Sequence, residues 1–235
     1  MEAVNYNKKQ VKEIYEQTYA TKIKSPAAVK DEHLSTVIRF NNLLKKFQIS
    51  IPTNANYIDI ACGDGIKTNA LSQYFDSSLG VDFSKNAIEY AQKTFGNNRL
   101  KFQELDLEKN SLNEQFDLVT SFGNSLFNIS DDKKISREII KNYRAFATQK
   151  GTLILGSFTD FSGTAPSGWY NLTREQLNHI ASAIKEQEDI TCQLYFPHQD
   201  INNYLSGSIL YTAKELQKLL MQKRRYFYIV IKTKQ

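Results

Sequence analysis

The chain has 235 residues, of which 41% are hydrophobic and 23% charged, with only 10 glycines and 4 prolines. This composition excludes a disordered or low-complexity chain and is typical of one sizeable α/β domain. Lys and Arg number 30 and Asp and Glu 25, so the net charge is +5, which permits an acidic partner without requiring one.

The cysteine pattern and the apolar runs narrow the class of protein further. Cys62 and Cys192 lie in no CxxC pair and near no spaced histidine, which indicates neither a zinc site nor a disulfide framework. We therefore expect a reduced, cytoplasmic protein without a metal ion. The first ten residues lack the apolar core of a signal peptide, and the longest apolar run, 226–231, has the length of a strand, so no membrane association is expected. The short basic cluster at 223–225 is typical of a solvated surface, which makes nucleic acid an unfavoured partner.

Two helices are predicted ahead of the main domain, and we expect residues 1–52 to form an N-terminal helical cap. Residues 8–21 carry apolar and aromatic side chains close to helical spacing. Pro26 interrupts this pattern, and Asp31 is then predicted to cap a second helix. The main domain is expected to cover residues 53–235.

Strand and helix patterns alternate through the first half of the main domain. Strands are predicted at 57–61, 78–82, 100–104, 116–121 and 152–157, and helices at 66–75, at 85–95 after a cap at Ser84, and at 132–147 after a cap at Asp131. Strands separated by helices indicate right-handed parallel crossovers and therefore a doubly wound, mostly parallel α/β sheet.

The pattern changes after Phe158. A loop at 162–170 is followed by a helix capped by Thr173, a strand at 190–196, a helix from Thr212 to Met221 and a last strand at 226–232. These two strands bring the expected sheet to seven. We expect residues around 160–211 to form an insertion on the side of the sheet where a substrate binds.

The segment 57–65, YIDIACGDG, runs from a strand into a turn with two glycines ahead of a helix. Glycine lets the backbone approach a ligand, and the start of a helix presents free N–H groups. In open parallel sheets, ligands bind beyond the carboxyl ends of the strands. The turn therefore predicts a site for a nucleotide-like ligand.

Three further features sharpen this prediction. Asp59 lies inside the first strand, where an acid suits a cofactor that carries an ammonium group. Asp82 ends the second strand, about twenty residues past the glycines, where a carboxylate can accept bonds from both ribose hydroxyls. Residues 104–107 follow the third strand, where a side chain can take the adenine amino group.

Together these residues resemble the class I S-adenosylmethionine-dependent methyltransferases over residues 57–158. The resemblance implies a Rossmann-like sheet, S-adenosylmethionine as the cofactor and S-adenosylhomocysteine as the product. Residues 59–65 resemble the family's first motif, with Ala61 in place of the first of three alternating glycines. Residues 122–125 contain a Gly-Asn-Ser that is similar to that of small-molecule N-methyltransferases of the glycine and sarcosine type.

The resemblance and the positions of loop and helix side chains give the expected site. The cofactor is expected to contact Asp59, Ala61, Gly63, Gly65, Asp82, Phe83, Asp106, Leu107, Phe122 and Tyr19. The catalytic candidates are Asn124, Tyr19 and His198. The acceptor is expected to contact Asn124, Trp169, Tyr170 and Tyr211.

Two other ligand classes fit the glycine turn less well. The fingerprint of a nicotinamide dehydrogenase requires a third small residue, where this chain has Ile66, Lys67 and Thr68. A phosphate-binding loop requires a Gly-Lys pair that is missing here. Methyl transfer is therefore the favoured interpretation.

The acceptor is expected to be a small molecule that is methylated at nitrogen or oxygen. Residues 121–124 lack the Asn/Asp-Pro-Pro-aromatic stretch typical of enzymes that methylate amino groups of nucleic acid bases. An RNA or protein methyltransferase and a non-catalytic cofactor-binding protein stay open as alternatives. Both a monomer and a homodimer stay open as assemblies.

Overall fold

A single seven-stranded sheet forms the centre of the molecule. The structure, a computed structural model, describes residues 7–21, 24–107, 112–129, 132–165, 168–200 and 209–234. The strands are β1 (Asn56–Ile60), β2 (Ser77–Asp82), β3 (Leu100–Glu104), β4 (Phe116–Phe122), β5 (Ala147–Thr159), β6 (Ile190–Tyr195) and β7 (Arg225–Thr233). The helices are α1 (Lys8–Thr21), α2 (Pro26–Lys46), α3 (Ile66–Ser72), α4 (Lys85–Phe95), α5 (Leu126–Ile129), α6 (Asp132–Glu138), α7 (Arg174–Lys185) and α8 (Ile209–Met221).

The strand order is β3-β2-β1-β4-β5-β7-β6, and the first five strands are parallel. The last strand, β7, runs antiparallel to both of its neighbours, β5 and β6. The prediction of a doubly wound, mostly parallel α/β sheet of seven strands is therefore confirmed. The strand order reverses between β1 and β4, which is where open α/β sheets bind ligands.

The two faces of the sheet bury different sets of helices. Tyr57 lies on the face that packs against Phe40 of α2 and Leu71 of α3. Ile58 lies on the opposite face, in the core that also contains Ile180 of α7. This alternation follows from the two-residue period of a strand.

Helix α2 begins earlier than the sequence pattern predicts. The prediction of a cap at Asp31 is wrong, because the side chain of Ser25 accepts a hydrogen bond from the backbone N–H of Ala28 and Pro26 is the first helical residue. Proline fits this position because its fixed φ suits a helix and the N–H that it lacks would have no partner there. The other early start is in α8, which begins at Ile209 instead of after Thr212.

The helix predicted for 132–147 divides into three conformations. Helix α6 is followed by a π-helical turn, Ile139–Tyr143, and a 3₁₀ turn, Arg144–Phe146. The expected cap, Asp131, lies outside the described residues. Two other predicted caps are confirmed: Ser84 begins α4, and Thr173 begins α7.

Phe40 provides a test of how α2 is held. Its side chain is 1% exposed, and its ring lies 5.2 Å from that of Tyr74. We expect Phe40→Ala to lower the free energy of unfolding by about 3–5 kcal/mol, because it removes a buried aromatic ring and leaves a cavity. Urea unfolding measures this loss. The matched control is Leu34→Ala on the same helix, where the side chain is 39% exposed and the loss should stay within about 0.5 kcal/mol. Similar losses for both variants would contradict the described packing.

Candidate active site

The chain turns sharply between β1 and α3. Ala61, Gly63 and Gly65 all have a positive φ, of 57°, 56° and 75°. This region costs an ordinary L-residue about 1–2 kcal/mol, so Ala61 is a strained residue at the place where the sequence motif has its first glycine. Backbone strain of this kind is typical of functional turns.

The carboxylate of Asp82 joins this turn to the end of β2. The backbone N–H of Gly63 donates to Oδ2 of Asp82 at 2.9 Å, and the backbone N–H of Ser84 donates to Oδ1 at 2.9 Å. Asp82 is 6% exposed, and burial raises its pKa to about 6 although both N–H bonds favour the charged form. Each carboxylate oxygen can still accept a second hydrogen bond.

A cavity of about 590 Å³ opens beside Asp82, at the carboxyl ends of the parallel strands. This volume is within the range of about 300–1,000 Å³ that is typical of small-molecule sites. Six of the residues predicted for the site line this cavity: Ala61, Asp82, Phe83, Asp106, Leu107 and Asn124. The prediction that these positions converge is thus consistent with the geometry.

Helix α1 forms the roof of the cavity. Nζ of Lys12 lies 2.7 Å from Oδ2 of Asp106, and Val11 is 2% exposed. The carboxylate of Glu16 accepts a hydrogen bond from the backbone N–H of Lys85 at 2.8 Å and one from the Asn86 amide at 2.7 Å. These contacts hold α1 against the start of α4 and over one side of the cavity.

Four aromatic rings, which we call the aromatic cluster, join α1 to the sheet edge. They are Tyr15, Tyr19, Phe83 and Trp169. The ring of Tyr15 lies 6.1 Å from that of Tyr19, 6.1 Å from that of Phe83 and 6.0 Å from that of Trp169. Burial first, and then the charge of Asp82, raise the pKa of the Tyr19 phenol far above its usual value, so the phenol is neutral. Such faces attract a cationic group.

The carboxylate of Asp59, which is predicted to contact an ammonium group, is hydrogen-bonded inside the protein. Asp59 is 2% exposed, and its carboxylate accepts hydrogen bonds at 2.7 Å from the hydroxyls of Thr68 and Thr120. Its side chain thus points between β4 and α3 and does not line the cavity. Thr68 belongs to α3, the helix that follows the glycine turn. Its hydrogen bond to Asp59 therefore holds the start of α3, and with it the turn, against β1.

Two other predicted cofactor contacts also lie behind the cavity wall. A Cβ at Gly65 would overlap Ala91 and Phe102, so this glycine is required by the packing of the turn against α4 and β3. The ring of Phe122 packs edge-on against Tyr228, with ring centres 5.8 Å apart. Neither Gly65 nor Phe122 lines the cavity, and their contacts with the cofactor stay predictions.

Asn124 lines the cavity, and its amide is hydrogen-bonded to neighbouring residues. Its Nδ2 donates to the hydroxyls of Ser121 and Tyr143, and its Oδ1 accepts from the backbone N–H of Leu126 at 2.9 Å. Asn124 thus shapes the turn after β4, and its catalytic role stays a prediction. Tyr143, which lies in the π-helical turn and lines the cavity, was missed by the sequence patterns.

The remaining candidates lie at different places. His198 is separate from the cavity, in a 3₁₀ turn (Pro197–Gln199) near the start of β7. The Tyr170 hydroxyl bonds to Gln176, and its backbone N–H donates to Asn128, so Tyr170 holds the loop after β5. Tyr211 lies in α8, and its side chain is outside the described part of the structure.

Within the described ranges, no group of three or more His, Cys, Asp and Glu side chains could hold a metal ion. None of the helices in those ranges is long and apolar enough to cross a membrane.

Comparison with known proteins identifies the segment around the glycine turn. Residues 58–146 match the family described as "Methyltransferase domain", so this segment is a methyltransferase domain. The malonyl-[acyl-carrier protein] O-methyltransferase of Acetivibrio thermocellus is 31% identical over 83 residues, which are 34% of this chain and 29% of that protein. The juvenile hormone acid O-methyltransferase of Bombyx mori is 35% identical over 89 residues, 35% of this chain and 32% of that protein. The matches thus span less than a third of the length of these curated relatives.

The likeness to solved structures extends over nearly the whole chain. The N-methyltransferase NodS from Bradyrhizobium japonicum WM9, in complex with S-adenosylhomocysteine, has a TM-score of 0.60 and 16% sequence identity. The alignment covers 95% of this chain and 98% of that one. The fold is therefore the Rossmann-like fold of the class I methyltransferases.

The contact between α1 and the glycine turn can be tested by a double-mutant cycle. A Cβ at Gly63 would overlap the Tyr19 hydroxyl, and φ at Gly63 is 56°. We expect Gly63→Ala to destabilise the protein through both effects. In a Tyr19→Ala background, the loss should fall to the backbone part of about 1–2 kcal/mol. Urea unfolding of the four proteins gives the coupling, and equal losses in both backgrounds would show that Tyr19 does not lie over Gly63.

Proposed function

We propose that this chain is an S-adenosylmethionine-dependent methyltransferase that transfers a methyl group in line to nitrogen or oxygen of a small-molecule acceptor. The observation that carries the proposal is the buried carboxylate of Asp82 on the wall of the 590 Å³ cavity, held in place by the turns on both sides. We further propose that the protein works in the cytoplasm as a monomer or homodimer.

The residues of the cavity fit this cofactor. Asp82 retains acceptor capacity for two ribose hydroxyls, and Phe83, which follows it on the cavity wall, would lie against the adenine. Asp106 supplies a carboxylate for the adenine amino group, and Lys12 holds that carboxylate in place. When bound, the cofactor supplies the methyl group and leaves as S-adenosylhomocysteine.

The protein contributes orientation and exclusion of water. Helix α1 covers one side of the cavity, and its Tyr19 lies against Gly63, where a neutral ring would face a sulfonium cation. Alignment of two reactants can supply several kcal/mol of the barrier reduction, on the order of 7 kcal/mol or more in well-oriented cases. A neutral amine would need no general base, because its lone pair attacks directly.

Cofactor binding is the first test of the proposal. We expect saturating S-adenosylhomocysteine to raise the melting temperature by about 5–10 °C, since a ligand at 100 times its Kd stabilises the native state by about 2.7 kcal/mol. Differential scanning fluorimetry measures the shift, with NAD as the control nucleotide. No shift at millimolar ligand would remove the proposal. Transfer of a labelled methyl group to a small molecule would separate an enzyme from a protein that only binds the cofactor.

The role of Asp82 is tested by substitution and by pH. Asp82→Asn should weaken S-adenosylhomocysteine binding at least about tenfold, because it removes a charged acceptor of two hydroxyls. The matched control is Asp117→Asn at the start of β4, where the carboxylate only accepts the backbone N–H of Asn56.

The pH profile gives an independent readout of the same group. The Asp82 pKa is raised to about 6, so its carboxyl holds a proton below that pH and loses acceptor capacity. Affinity for S-adenosylhomocysteine should therefore rise as the pH increases through about 6, and Asp82→Asn should abolish that rise. Isothermal titration calorimetry between pH 5 and 8 measures both, and equal affinity losses in Asp82→Asn and Asp117→Asn would contradict the assignment.

A further inference from the structure

The π-helical turn after α6 forms part of the cavity wall. Its residues Lys141, Asn142 and Tyr143 line the cavity, as does Glu138 at the end of α6. In an α-helix, residues three or four positions apart share a face, whereas the i→i+5 bonds of a π-helical turn bring residues five positions apart to one side. The wider turn thus places Tyr143 on the same wall as Glu138 and Asn142.

The turn after β3 packs against this segment. Leu105 lies in the same buried core cluster as Tyr143, and Leu107 packs against that cluster. The backbone N–H of Leu105 donates to the backbone carbonyl of Asp82 at 2.8 Å, which joins the turn after β3 to the end of β2. All four residues line the cavity. One end of the cavity is therefore enclosed between the turn after β3 and the π-helical turn.

This end of the cavity suits the base of a nucleoside. A nucleoside whose ribose is held by Asp82 would direct its 5′ substituent toward the glycine turn, where Ala61 lines the cavity. Its base would then lie on the other side of the ribose. The apolar side chains there, Leu105, Leu107 and Leu126, offer flat contact to a planar ring. The π-helical turn would consequently face an edge of the base.

Asn142 brings an available amide to this wall. Its side chain is half-buried, and its amide has no hydrogen-bond partner within the part of the chain that the structure describes. The other amide on the wall, that of Asn124, is bonded to Ser121 and Leu126. An amide presents a donor and an acceptor side by side. Asn142 is thus ready for a ligand edge that pairs a donor with an acceptor.

We propose, on the basis of the proposed function, that Asn142 binds the N6/N7 edge of the adenine, with Oδ1 accepting from the 6-amino group and Nδ2 donating to N7. Asparagine recognises adenine through this same pair of bonds in nucleic acids. Asp106 accepts the other hydrogen of the 6-amino group, so each N–H has its own acceptor. Asn142 therefore selects adenine over a base with a carbonyl at position 6, whose oxygen would face Oδ1 without a hydrogen.

The first test changes the ligand and leaves the protein intact. The 7-deaza analogue of S-adenosylhomocysteine has a C–H group in place of N7, so it cannot accept the bond from Asn142. In isothermal titration calorimetry, the unchanged protein should bind this analogue at least about tenfold more weakly than S-adenosylhomocysteine. Equal affinities would overturn the proposal, and no substitution that could disturb folding is involved.

The second test changes the amide. Asn142→Ala should weaken S-adenosylhomocysteine binding about tenfold and remove the preference over the 7-deaza analogue, because the donor to N7 is gone. Asn142→Asp should reverse the preference, since a carboxylate still accepts from the 6-amino group but repels the lone pair of N7. The matched control is Asn178→Ala, at an exposed position of α7 away from the cavity, which should change neither affinity. A preference that persists in Asn142→Ala would contradict the assigned contact.

A neighbouring cation provides a second candidate donor to N7. Lys141 is exposed and lines the same cavity, and its ammonium group can only donate. Lys141→Met should retain the preference for S-adenosylhomocysteine over the 7-deaza analogue. Loss of the preference in this variant, with retention in Asn142→Ala, would assign the contact to Lys141 and overturn the role of Asn142.

The two proposals fail in different ways. No binding of S-adenosylhomocysteine by the unchanged protein would remove the methyltransferase proposal. Equally tight binding of S-adenosylhomocysteine and its 7-deaza analogue would remove only the role of Asn142.

Discussion

The carboxylate of Asp82 accepts backbone hydrogen bonds from Gly63 and from Ser84, and this pair of bonds joins the turn after β1 to the turn after β2. The glycine turn, the start of α4 and the floor of the large cavity all take their positions from it. Because the carboxylate is buried, leaving either N–H without a partner would be costly. Helix α1 then adds to this framework through Glu16 and Tyr19, which contact the two turns.

The order of strands and the cavity floor could be predicted from the sequence because they depend on local signals. Hydrophobic periodicity gives the strands, and the spacing from the glycines gives Asp82. The position of Asp59 and Phe122 away from the cavity has one cause, which is the two-residue period of a strand. Asp59 shares a face with Tyr57, and Phe122 shares a face with Leu118, so both side chains point toward α2 and α3. The position of a residue in the motif does not tell on which face of the sheet its side chain lies. The residues two positions away along the same strand share its face, and their burial against α2 and α3 does tell this.

Other features could not be predicted because they depend on contacts between distant parts of the chain. Pro26 is consistent with two predictions, because proline can break a helix or can be its first residue. The sequence pattern alone does not decide between them, so the early start of α2 was not predicted. The π-helical turn that brings Tyr143 to Asn124 has no sequence signature. The surroundings of His198 are built by α7, α8 and β7, so a histidine after a proline gave no indication of its buried nitrogen.

The antiparallel direction of β7 has a consequence for how such a protein diversifies. Because β7 runs against β5, its first residues, Arg225 and Tyr226, reach the same edge of the sheet as the last residues of the parallel strands. The half of the molecule around β1 and β2 can thus stay constant while the chain ahead of β7 changes in length and chemistry without disturbing the register of the sheet. Exchange of residues 196–224 between proteins of this fold would be a rational route to altered selectivity.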